Sequence, residues 1–185
     1  MARSEPRERL LRTASELFYR EGIHAVGVDR IVSEAAVTRA TFYRHFPGKE
    51  DLVEAYLDVE DAHIRAAFAE AEASTDNAVA RLELVIEGLA ADVARNHTRG
   101  CPFINASAEY PDAASPVREA VARHREWFRS TLTALLADAG TADPELAAGE
   151  LVLLRDAAMV GGYLDGWDRV RPAFVAAARR AAGLD

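Results

Sequence analysis

One stretch of 24 residues, Ile23 to Phe46, constrains this chain more than any other: IHAVGVDRIVSEAAVTRATFYRHF. It holds two short helical patterns separated by a tight connection. The first runs from Val28 to Ala35, Ala36-Val37 turns the chain, and Thr38 opens a second segment from Arg39 to Phe46. Helical spacing brings Ile31, Ala35, Val37, Phe42 and Phe46 round to one core. Arg39, Thr41, Tyr43, Arg44 and His45 are left on the outer side. A short rigid rod carrying cations, hydroxyls and a phenol ring on its outer face fits a DNA major groove, where base edges offer acceptors and phosphates offer charge. The pattern is a helix-turn-helix, and its second helix is the recognition helix.

The whole chain is acidic, with 22 Lys/Arg against 30 Asp/Glu and a formal net charge of -8. A uniformly basic nucleic-acid coat is thereby excluded. The distribution is uneven. Residues 1–50 carry nine basic and seven acidic side chains, and the remainder carries thirteen and twenty-three. The DNA-facing part therefore sits at the N-terminal end with an acidic body behind it. A chain of 185 residues is long enough to bury a proper core. The single cysteine, Cys101, excludes an intramolecular disulfide and suits a reducing cytoplasm. Charged residues run through Arg12 without an apolar segment of secretory type, so no signal peptide is expected. The most apolar run, Leu151 to Leu164, is interrupted by Arg155-Asp156 and is too short to span a bilayer. A soluble cytoplasmic protein is expected, with no membrane partner.

Read in order, the chain is all-α. A first helix spans about Ser4–Arg20, with Leu10, Leu11, Ala14, Leu17 and Phe18 on one stripe and Gly22 as its stop. The motif helices follow, ended by Pro47-Gly48. A long helix runs from Lys49 to about Ala73, and Ser74-Thr75-Asp76-Asn77 breaks the pattern. Further helices are expected over Ala78–Asn96, over a short segment ending near Tyr110, over Ser115/Pro116–Asp138, over Glu145–Gly166 and over Asp168–Ala182. Ser115-Pro116 and Asp143-Pro144 are strong start signals, each a cap residue followed by proline at the first helical position. No strand pattern, internal repeat or low-complexity tract is present. Two parts follow, residues 1–47 with the helix-turn-helix and residues 48–185 as a helical body.

The strings Leu17-Phe18 with Gly22, Ile31 with Ala35, Val37 to Phe46, and Pro47-Gly48-Lys49-Glu50-Asp51-Leu52 together resemble the tetracycline-repressor (TetR) family of transcriptional regulators. The close likeness covers about the first third of the chain. Gly27 stands where the family often has a capping Thr, and Ala36 where the turn usually has Gly; glycine is the weaker cap, and alanine either avoids positive φ or bears strain there. Motif geometry and the resemblance together give a DNA-contacting set of Arg30, Thr38, Arg39, Ala40, Thr41, Tyr43, Arg44, His45 and Lys49. Arg39 and Arg44 are the base readers, because a guanidinium donates two hydrogen bonds to guanine O6 and N7. Tyr43, His45 and Lys49 resemble the family's phosphate-contacting positions, which set register without reading sequence. Thr41 donates to a phosphate or touches a thymine methyl. Thr38 is foremost the cap of the recognition helix, and Arg30 approaches the DNA backbone.

Apolar residues run nearly all the way round Leu151–Leu164, and such a helix must be buried on every side. One side serves the subunit's own core, and the other needs a second subunit. The helices around residues 116–138 and 144–166 resemble the family's four-helix homodimer interface. A dimer suits an operator with an inverted repeat, read as half-sites in successive major-groove turns of double-stranded DNA. The resemblance further implies a small-molecule effector that releases a repressor from its operator by biasing the orientation of the Lys49–Ala73 helix. Candidate ligand contacts are His97, Phe103, Asn105, Tyr110, His124, Trp127, Phe128, Met159 and Tyr163, with Trp167 nearby. The alternatives are a thiol redox sensor acting through Cys101 and a helical module that binds protein rather than DNA. No catalytic constellation, cofactor motif or metal site is expected. His97 and Cys101 lie four apart, but Gly100 and Pro102 break the helix and no second ligand pair exists.

Overall fold

The computed structural model describes residues 5–96 and 98–184. Over these the chain is all-α: α1 (Glu5–Glu21), α2 (Val28–Glu34), α3 (Arg39–His45), α4 (Lys49–Ser74), α5 (Ala78–Asn96), α6 (Pro102–Glu109), α7 (Pro116–Asp138), α8 (Pro144–Asp165) and α9 (Trp167–Ala182). Each lies within two residues of its expected span. No described helix is long and apolar enough to cross a membrane. The helices form two compact units, the first built from the described residues up to Asp61 with Pro102–Ala122, the second from Ala62–Cys101 with Arg123–Asp185.

In the first unit, α1 lays its apolar stripe of Leu10, Leu11, Ala14, Leu17 and Phe18 against both motif helices. Ile31, Ala35, Phe42 and Phe46 are buried as their spacing requires, while Val37 stays half-buried. Gly22 ends α1 at φ +96, with its N–H on the Phe18 carbonyl at 3.0 Å. The connection between α2 and α3 is a Schellman turn. Val37 N–H reaches back to the Val32 carbonyl (3.0 Å) and Ala36 N–H to that of Ser33 (3.2 Å). Ala36 sits at φ +51, the one described non-glycine residue with positive φ, so this turn takes the left-handed conformation in spite of its alanine. Gly27 caps α2 with backbone alone.

Glu109, at the end of α6, closes the loop between α1 and α2. Its carboxylate accepts from the backbone N–H of Ile23 (2.8 Å) and of His24 (2.5 Å). The His24 imidazole lies 3.7 Å from the same carboxylate, and its ring packs on Tyr110 at a centroid distance of 4.9 Å. Two loop N–H groups 85 and 86 residues away thus find their acceptor on one side chain.

The second unit packs α5, α8 and α9 against one another around Leu82, Val85, Ile86, Leu132, Leu136, Leu151, Val152 and Phe174. The close approach expected at Gly161-Gly162 occurs within this unit. A Cβ on Gly161 would stand 3.2 Å from Val170 of α9, and one on Gly162 would stand 3.2 Å from Val93 of α5. Helix α7, expected to partner α8 across a dimer, has Val117, Val121, Phe128, Leu132 and Leu136 buried within the chain. Among the described residues of this unit, five large exposed apolar side chains lie on α8, Leu146, Leu153, Val160, Tyr163 and Leu164, and two on α5, Val79 and Leu84.

Two stability effects follow. Ala36 is exposed, so Ala36→Gly loses no packing and relieves an αL penalty of about 1–2 kcal/mol. Its urea midpoint rises, and Tm increases by about 2–4 °C per kcal/mol gained. Glu109→Ala strands the part-buried Ile23 amide and the exposed His24 amide, and the charge-assisted hydrogen bond lost at Ile23 is worth about 1.5–3 kcal/mol. Chemical denaturation should show a loss of at least about 1.5 kcal/mol, with the α1–α2 loop amides exchanging faster in hydrogen-exchange measurements.

Candidate nucleic-acid interface

Helix α3 spans only seven residues, too short to be stable on its own. Two devices fix it. Thr38, at φ -89 and ψ 157, caps the helix, its hydroxyl accepting from Thr41 N–H at 3.1 Å. The Thr38 and Thr41 hydroxyls also stand 3.0 Å apart. Phe42, fully buried, anchors the inner face, with Phe46 tilted on it at 6.0 Å and Arg7 of α1 5.0 Å from the Phe46 ring. Arg9 ties α1 to the end of α2 by donating to the Ala35 carbonyl at 3.3 Å.

With the inner face committed, the outer face is set. Thr38, Arg39, Ala40, Tyr43 and Arg44 are exposed, while Thr41, His45 and Lys49 are half-buried beside them. Tyr43 is 53% exposed and packs at a steep angle to Phe42, with ring centroids 5.1 Å apart. Lys49, the first residue of α4, lies 5.9 Å from the Phe18 ring. Partial burial holds its ammonium below the usual lysine range, opposed by the Glu109 charge.

Sequence reading placed these cations and missed their carboxylates. Arg39 does not stand alone: its Nε donates to Asp29 Oδ1 at 2.5 Å, and Nη2 lies against the same oxygen. Hydrogen bonding to Asp29 raises the Arg39 pKa further above the titration range. Arg30 is held between Glu21, which takes both Nη1 and Nη2, and Glu34, which accepts from Nε at 2.8 Å. Glu21 hydrogen-bonds Arg20 as well, and Arg30 foremost keeps its carboxylate below the usual range. The Arg30–Glu34 pair follows the i, i+4 rule and was open to a sequence reading. Asp29–Arg39 crosses the turn and depends on its angle.

The candidate ligand contacts are scattered. His97 lies outside the described residues. Phe103, Asn105 and Tyr110 belong to the first unit, with Phe103 and Tyr110 buried. In the second unit His124, Trp127 and Phe128 gather with Phe68 of α4. Phe68 stands 5.5 Å from Trp127 and 5.7 Å from Phe128, and His124 stacks on Phe128 at 6.0 Å. Arg65 lies 4.0 Å over Trp127. Met159 is buried, Tyr163 is exposed, and Trp167 packs on Phe174. A cavity of about 370 Å³ lies between α4 and α5, lined by His63, Ile64, Phe68, Leu84, Leu89 and Asp92 among others, and by none of the candidates. Cys101 is 2% exposed, its sulfur 3.2 Å from Nη1 of the buried Arg155. No metal-competent cluster of His, Cys, Asp and Glu occurs among the described residues.

Residues 10–56 match the family model described as bacterial regulatory proteins, tetR family. Residues 78–180 match the tetracyclin repressor-like C-terminal domain. The HTH-type transcriptional regulator LmrA of Bacillus subtilis is 30% identical over 131 residues, 69% of each chain. YxaF, an HTH-type regulator of the same organism, is 25% identical over 165 residues, 88% of this chain and 85% of that one. The crystal structure of a TetR-family regulator from Streptomyces coelicolor is 47% identical, covers 98% of this chain and 96% of its own, and superposes with a TM-score of 0.92. With a helix-turn-helix of this geometry and both halves matched, the chain belongs to the TetR family of helix-turn-helix transcriptional regulators.

Proposed function

We propose that the protein is a homodimeric repressor whose two α3 helices read an inverted-repeat operator and whose body releases the DNA on binding a small molecule. The observation that carries this reading is the outer face of α3. Arg39, Tyr43 and Arg44 stand exposed on a helix whose orientation is locked by a fully buried Phe42. In it, Arg39 and Arg44 meet base edges, while Tyr43, His45 and Lys49 grip phosphates with Thr38 and Thr41 beside them and Ala40 allowing close approach. Arg30 contributes to the DNA backbone only on release from Glu21 and Glu34. Residues 1–47 act as the DNA-binding part and residues 48–185 as the effector and dimerisation part.

For the dimer, α8 supplies the surface. Leu146, Leu153 and Val160 recur every seven residues and Leu164 extends the line, so these exposed side chains form one stripe. Leu153 and Leu154 line a shallow groove with Ala177 and Ala181 of α9, rimmed by Glu150 and Arg180. On this reading α9, rather than α7, is the companion of α8 in a self-complementary contact. For the effector, the α4–α5 cavity has a volume in the range of small-molecule sites. A ligand there touches α4, the helix that begins at the end of the DNA-binding motif. It acts by binding one orientation of α4 better than another.

Selection of bound fragments from genomic DNA by the purified protein, at two salt concentrations, tests the whole reading. Enrichment of an inverted repeat is expected, with affinity falling about 10³–10⁵-fold between 50 and 200 mM salt if six to ten phosphates are contacted; absence of a shared motif with a folded dimer sinks it. Tyr43→Phe should weaken binding to operator and random DNA alike. In Leu153→Arg a charge replaces a side chain that is 69% exposed in the single chain, so the subunit's own fold should survive. Sedimentation should then show a monomer, with operator affinity collapsed.

A further inference from the structure

We infer that Asp29 is a specificity-determining positioning residue, which reserves one edge of the Arg39 guanidinium and so directs that side chain to a base rather than a phosphate. This rests on the proposed role of Arg39 in base readout. Arg39 is the first residue of α3 and Asp29 the second of α2, the two helix ends that a helix-turn-helix turns toward DNA. A guanidinium has five N–H donors in a fixed fork. Nε and Nη2, the side edge of the fork, both engage Asp29 Oδ1. Three N–H donors remain, two of them paired on the terminal Nη1/Nη2 edge and the third on Nη1 pointing back along the side chain. The terminal edge matches the O6/N7 pair of guanine. A phosphate matches either edge equally well, and the side edge is closed to it by a fixed negative charge.

The pair is exposed, 64% for Arg39 and 70% for Asp29 at the side chain, so its worth to folding is small. Its worth to recognition is of another kind. An unrestrained arginine has many rotamers, and nearby phosphates carry most of the attraction for it. Asp29 narrows the rotamers and repels phosphates at the same time. Removing it should therefore raise affinity for random DNA and lower discrimination together. A merely structural residue would not behave this way, since damage to the motif weakens both kinds of binding.

The experiment measures affinity of the full-length protein for its selected operator, for every single-base variant of one half-site, and for random duplex, in wild type, Asp29→Asn, Asp29→Ala, Asp29→Glu and Arg39→Ala. At one base pair both Asp29→Asn and Asp29→Ala should lose at least about fivefold discrimination, the low end of what one bidentate arginine contact confers. Random-duplex affinity should stay level or rise, and Asp29→Glu should recover part of the preference. Arg39→Ala should flatten preference at the same base pair. Unchanged base preference in both charge-removing variants overturns the inference, as does a parallel fall in operator and random-duplex affinity. If Arg39→Ala itself leaves every preference intact, Arg39 is no base reader, and the inference falls with that assignment.

Discussion

The burial of Phe42 and Phe46 is the constraint on which this molecule depends. Seven residues of helix have no stability of their own, and α3 exists because its inner face is inserted against α1 and α2. Once those rings are fixed, the 3.6-residue repeat leaves no freedom for the rest. Arg39, Tyr43 and Arg44 must face outward, and at angles fixed to within a rotamer. The turn before α3 serves the same end. Its Schellman hydrogen bonds and the Thr38 cap determine where α3 starts, and the chain accepts a left-handed alanine to keep that geometry. Local preference yields to the packing of the motif, as strained residues do where surrounding structure over-determines them.

Most of the architecture was legible in the sequence because helical periodicity and caps are local signals. Ser115-Pro116 and Asp143-Pro144 each marked a helix start, and Leu82, Val85, Ile86, Leu89 and Val93 are buried as their spacing required. The outer face of α3 was legible for the same reason. What escaped was everything depending on angles between elements. Asp29 reaches Arg39 across a turn, Glu109 accepts from amides more than eighty residues earlier, and neither distance is written in spacing. What buries the apolar stripe of α7 escaped for a related reason. An apolar stripe on α7 shows that the helix is buried on one side, not whether neighbour or partner buries it, and here the chain's own core consumes it.

The acidic composition also takes on a definite meaning. The carboxylates of the first unit are not spread as a neutral background. Glu21, Glu34 and Asp29 sit on the guanidinium groups of Arg30 and Arg39. Each pair is exposed and contributes little to folding, yet each determines how an arginine is presented. Selectivity in such an interface comes as much from what its cations are kept away from as from what they touch.

Those internal pairs have a kinetic consequence. Two of the four Arg and Lys side chains proposed to meet DNA, Arg30 and Arg39, are already balanced by neighbouring carboxylates, and beyond a screening distance of about 8 Å at physiological salt little positive field reaches an approaching duplex. Attraction at long range is therefore weak, and capture relies on collisions that already present the right face. Rival sequences are then separated after contact, by how long each complex survives rather than by how quickly it forms.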